Sequence, residues 1–144
     1  MRKAALFLRI AAVLTLIHAV LHTVGGVFGQ VPPGPALIAA TAMKANPFLA
    51  MGQMRSFWEF YRGMGLGVSI FLTTEAVVFW FLGSMAKRGG AGLRPVLVAF
   101  AIGYAAFAVT SYFYFFPAPV VTELLIAACL VMAAVAARPD PLRG

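Results

Sequence analysis

Two histidines, His18 and His22, stand four residues apart inside an apolar run near the N-terminus. An ionisable residue in such a run is costly to place in lipid, usually points toward protein, and is a functional candidate by default. Spaced by four, both imidazoles share one helix face with Ala11, Thr15, Gly25, Gly26 and Gly29, which recur at steps of three and four. This stripe of small and polar residues should look into a helix bundle. Two chemistries are open to it. A neutral imidazole can hydrogen-bond a neighbouring helix, or it can act as a general base with Glu59 or Glu123 as acid partner. A metal site is not expected: histidines at i and i+4 are half of a zinc site, and neither an HExxH pattern nor cysteine ligands complete it. Haem ligation by the pair is disfavoured, because axial ligands approach iron from opposite faces and these rings leave one helix on the same side. No CxxCH attachment motif is present.

A second constellation opens the stretch "SFWEFYRGMGLG" at 56–67, where Arg55, Glu59 and Arg62 fall within two turns of a helix about to enter hydrocarbon. Ser56 followed three residues later by Glu59 fits a capping box, in which hydroxyl and carboxylate satisfy backbone N–H groups at a helix start. Glu59 and Arg62 are spaced to pair on the helix surface, and Arg55 can extend into the headgroups. Glu59, Gly63 and Gly67 also form one stripe, and its glycines offer a GxxxG face for close approach of another helix.

These residues need elements to hold them, and composition says which. Of 144 residues, 62% are hydrophobic and only 10% charged, far from the balance of a soluble domain. A spanning helix takes about 20 mostly apolar residues, so the chain has room for four spans and none for a separate soluble catalytic domain. The runs lie at about 4–28, 57–85, 96–116 and 120–137. The first is longer than a signal-peptide core and lacks a clear A-x-A site, which favours a retained anchor. A Gly-rich basic loop, "AKRGGAGLRP", follows the second; "PAP" at 117–119 breaks the third from the fourth; "RPDPLRG" ends the fourth. The fold class expected is therefore all-α, an antiparallel four-helix transmembrane bundle forming one membrane domain.

The formal charge of +7 does not indicate nucleic acid, since the basic residues flank apolar runs instead of clustering on a soluble face. They set orientation instead. Arg2, Lys3, Arg9, Lys87, Arg88, Arg94, Arg138 and Arg143 fall on one side and Lys44, Arg55 and Arg62 on the other, so both termini should face the cytoplasm. Trp58 and the aromatic run at 112–116 then lie at the outer interface and Trp80 toward the inner one. The long connection at 29–55 should be outside: "GQVPPGP" reads as a stiff turn, "ALIAATAMKA" as a short helix, and Asn46–Pro47 as the start of a further helix. It serves as a lid or as a passive connector. Lone Cys129 can form no intrachain disulfide.

Depth then groups the ionisable residues. At ~1.5 Å per residue, His22 lies about 9 Å below the outer end of its span, Arg62 and Glu123 about 5–8 Å, and His18 about 15 Å. The expectation is a polar pocket in the outer leaflet made by His18, His22, Glu59, Arg62 and Glu123, because a charge in low dielectric needs a partner or must neutralise. Glu75 falls elsewhere, protonated in the bundle or paired with a basic residue of the loop after the second span.

The patterns "LRIAAVLTLIHAVLHTVGG" and "RSFWEFYRGMGLGVS" resemble those of small four-span bacterial membrane proteins, and the size and layout are similar to the DoxX-like group. That resemblance implies the four-span fold and an inner-membrane location, and it carries no activity. Three functions remain open: a binding or accessory subunit for a lipophilic small molecule or a membrane partner, a membrane enzyme using His/Glu acid–base chemistry on a lipophilic substrate, and a structural bundle. The partners expected are the bilayer, a lipophilic molecule, and another membrane protein or a second copy. No cofactor is identified.

Overall fold

The computed structural model describes residues 2–88 and 92–137. The chain is an all-α helical bundle, with one small β-hairpin among the described residues. Helix α1 spans Arg2–Leu21 and continues as a π-helix over His22–Val27; α2 spans Pro35–Ala45; strands β1 and β2 span Phe48–Ala50 and Gln53–Arg55; α3 spans Phe57–Lys87, α4 Leu93–Tyr114 and α5 Pro117–Ala136. Among the described residues four helices are long and apolar enough to cross a membrane: Arg2–Val27, Phe57–Lys87, Leu93–Tyr114 and Pro117–Ala136. The expected loop at 89–91 and the expected stop at 138–144, with Arg138 and Arg143, lie outside the described residues.

Boundaries differ from expectation where proline was read as a breaker. Pro117 and Pro119 do not separate the last two spans; α5 begins at Pro117, and the break falls at Phe115 and Phe116. A first-turn proline costs no hydrogen bond, because its missing N–H would have no intrahelical partner there. Pro95 sits likewise in the first turn of α4. Asn46 and Pro47 open no helix: the Asn46 side-chain amide donates to the Ala42 carbonyl at 2.8 Å and closes α2. A hairpin follows, paired Phe48 to Arg55, Leu49 to Met54 and Ala50 to Gln53. Its turn residues Met51 and Gly52 have φ of 48° and 86°, the two positive values of a type I′ turn.

The chain falls into two compact units, Met1–His18 with Leu72–Gly144, and Ala19–Phe71. The first holds the main apolar core. Leu8, Phe79, Leu97, Ile126 and Leu130 are fully buried, and Ala4, Ala11, Ala133 and Ala134 beside them keep the helices close. Phe79 packs edge-on against Phe100, with ring centroids 5.0 Å apart. Here α1 and α3 run antiparallel, since the Ala5 carbonyl lies beside Gly83 and Arg9 beside Trp80. Helices α3 and α4 also run antiparallel, matching Phe79 with Phe100 and Glu75 with Tyr104. Outward faces carry large apolar side chains such as Leu6, Phe81, Ile102 and Leu125. In water these would be a liability; in lipid they are the solvated surface.

In the second unit the hairpin is held by Phe48, whose ring lies 4.8 Å from that of Phe57 and 6.0 Å from that of Phe60. Lys44 lies 4.3 Å from the centre of the Trp58 ring. The π-helix meets α3 at Gly65 and Ser69, the hydrogen-bond partners of His22 and Thr23.

Candidate functional site

The second unit contains His22, Glu59 and Arg62, each with a partner inside that unit. The Glu59 capping box forms as the spacing requires: the Ser56 backbone N–H donates to Glu59 Oε2 at 2.6 Å, and the Glu59 N–H donates to Ser56 Oγ at 3.3 Å. The carboxylate's ion pair differs from expectation. It faces Arg55 at 4.0 Å, while the Arg62 guanidinium lies 5.0 Å from the Phe28 ring centre. A carboxylate drawn back to its own helix start faces the residue before the cap, so position 55 wins over position 62.

His22 Nε2 lies 3.0 Å from the Gly65 carbonyl, to which it donates, so this imidazole links the end of the first span to α3. The Thr23 hydroxyl donates to the Ala19 carbonyl at 2.6 Å and lies 2.8 Å from the Ser69 hydroxyl. Gly65 makes this approach feasible: a Cβ there would come within 2.9 Å of Val27 Cγ2. The expected contact glycines, Gly63 and Gly67, have open space where a Cβ would stand, as does Gly25. The cause is a change of helical phase. A π-turn holds about one residue more than an α-turn, so beyond His22 the inward positions pass to Thr23 and Val27, and Gly25 and Gly26 turn outward. The α-helical stripe through Ala11, Thr15, His18 and His22 is sound to that point; projected onward it fails. Two adjacent glycines after β-branched Thr23 and Val24 are the signal for such a yielding turn.

The first unit contains His18 and Glu123, and here Thr15, Ser111 and Glu123 are buried. Glu123 is 1% exposed; its Oε1 accepts a hydrogen bond from Ser111 Oγ at 2.9 Å, and its Oε2 receives none. His18 is half-buried, with Nδ1 shielded from solvent. Glu75, expected to be protonated or paired with a loop cation, has a phenol for a partner: Tyr104 Oη donates to its Oε2 at 2.6 Å. Tyr104 Oη also lies 3.4 Å from Thr15 Oγ1, and Thr15 is fully buried. Tyr104 is not among the expected site residues. Seven residues before Ser111, it shares that residue's inward face of α4, and this spacing is the signal that could have found it.

Arg9 is inside the first span, and among the described residues no carboxylate is ion-paired with it. Its guanidinium stacks 3.5 Å from the centre of the Trp80 ring and donates to Ser84 Oγ at 2.9 Å. Between α4 and α5 runs an open groove of about 480 Å³, walled by Val98, Ala101, Ile102, Leu124 and Val131, with Arg94 its charged lining residue. Among the described residues no three His, Cys, Asp or Glu side chains are grouped to hold a metal ion. Comparison of the chain with protein families, curated proteins and solved structures gave no match.

Proposed function

We propose that the chain is a multi-pass protein of the bacterial inner membrane, with both termini in the cytoplasm, that acts as a small binding or accessory subunit. Its ligand is a lipophilic molecule, or a polar group of a membrane partner, that presents an O–H or N–H donor to Glu123. The observation that carries this reading is the buried, unsatisfied Glu123 Oε2 beside Ser111. A buried acceptor without a donor is destabilising by about 1–3 kcal/mol, a cost that a bound donor removes. The orientation is supported by the excess of Arg and Lys near the chain ends and the second connection. The four long apolar helices support the multi-pass reading.

Mass spectrometry of small molecules retained by protein purified in mild detergent tests the binding. A lipophile should accompany the wild type and be lost in Glu123→Leu. Equal retention by both proteins, or an empty wild type, overturns the reading. Reporter fusions at Lys44 and after Gly144 test the orientation, with an outside signal expected from the first and a cytoplasmic signal from the second.

A further inference from the structure

The first unit contains two carboxyl groups in its spans, Glu75 and Glu123, and no lysine or arginine is ion-paired with either among the described residues. Tyr104 stands within electrostatic reach of both. It already bonds one, through the short Oη to Oε2 contact with Glu75, and touches Thr15 on its other side. Two turns further along the same face of α4, about 10 Å by helical rise, Ser111 holds Glu123. Helix α1 runs antiparallel to α3, and α3 antiparallel to α4, so α1 and α4 are parallel here. His18, one turn beyond Thr15 on the inward stripe, therefore stands at a depth between Tyr104 and Ser111. The other titratable groups among the described residues of this unit are engaged or stand apart: Arg9 is held by Trp80 and Ser84, Arg2, Lys3, Lys87, Arg88 and Arg94 lie at helix ends, Tyr112 and Tyr114 are exposed near the end of α4, and Cys129 is on the opposite half of α5 from Glu123.

We propose that these residues form a proton relay, Glu123 to His18 to Thr15 and Tyr104 to Glu75, through the interior of this unit. Each member can both give and take a proton. A proton taken up at Glu123 Oε2 passes to the His18 ring. As Tyr104 Oη gives its proton to Glu75, it takes one from the Thr15 hydroxyl, which is refilled from His18, so no phenolate accumulates. One proton enters at Glu123 and one leaves from Glu75; nothing is oxidised or reduced. The orphaned Glu123 Oε2 is the loading point, because it is a buried carboxyl oxygen that receives no hydrogen bond. Glu75 is the unloading point, bonded on the Tyr104 side and half-buried. Glu123 also carries the binding proposal, but the relay needs no bound molecule.

Reconstitution of the full chain into phosphatidylcholine–phosphatidylglycerol vesicles containing a pH-sensitive dye, driven by a valinomycin–potassium potential, tests it. Wild-type vesicles should change internal pH several-fold faster than protein-free vesicles. Tyr104→Phe and Glu75→Gln should each return the rate to the protein-free value, while Glu59→Gln, at the α3 cap, should leave it at the wild-type level. Glu75→Asp, which keeps the carboxyl, should restore part of the flux and separates a lost relay from a lost fold. A wild-type rate equal to that of protein-free vesicles overturns the relay, as does full conduction by Tyr104→Phe. A lipophile lost on Glu123→Leu from a protein that never conducts would refute the relay and leave binding intact. Conduction by a protein that retains nothing would do the reverse.

Discussion

In the first unit Arg9, Tyr104 and Ser111 each reach a different helix for a polar partner, whereas in the second most polar side chains bond within four residues of themselves. His22 and Thr23 are the exceptions there, and both sit on the π-helix. The difference follows from what surrounds each set. Alanine-rich faces beside Leu8, Phe79 and Leu130 leave a tight interior in which a hydroxyl or carboxyl meets no water and must find its partner across a helix gap. Where glycines face open space and a hairpin and caps make up much of the unit, local bonds suffice. Polar residues of the same type thus act as cross-links in one unit and as end fittings in the other.

The largest way to break this comparison is to hollow the tight unit. Phe79→Ala should destabilise the protein by about 3–5 kcal/mol, the cost of a large side chain lost from a closed core, read as a fall in melting temperature in detergent. A loss as small as that of an exposed substitution would mean that the core yields as freely as the glycine face. The next largest effect separates glycines within the looser unit. Gly65→Leu should destabilise by about 1–3 kcal/mol through overlap with Val27, while Gly67→Leu should melt as the wild type does. Reversal of that order would return the helix contact to the GxxxG stripe. The smallest effect sharpens the account of local bonds: Ser56→Ala should cost about 1 kcal/mol by removing the α3 cap. Its effect should be confined to faster amide exchange over the first turn of α3, and protection lost around Tyr104 would contradict local satisfaction.

Much of the fold is legible in the sequence because lipid imposes one simple demand, a long run of apolar residues with every backbone group bonded inside the helix. The four spans are read from that demand alone, and the Ser56–Glu59 cap from residues that touch along the chain. The hairpin was hidden: "FLAMGQMR" has neither an Asn–Gly turn nor polar alternation, and Asn46–Pro47 imitates a helix start. At the candidate site, the inward stripe of α1 is legible as far as His22, because α-helical periodicity predicts facing. It does not predict a change of period, so the contact glycine shifts from Gly67 to Gly65. Partner choice is the least legible property. That Glu75 meets Tyr104 and not a cation depends on how α3 and α4 are aligned, which neither segment encodes separately.

The wide turn at His22–Val27 has an evolutionary meaning as well. It stores what amounts to a single-residue insertion inside a continuous helix, and the residues upstream keep their angular assignments while those downstream acquire new ones. A lineage that lost one residue here would retain a spanning helix of nearly the same length, with no gap to betray the change. It would nevertheless exchange Val27 for a different neighbour of Gly65, so insertions and deletions in this segment would alter which side chains meet without altering the topology.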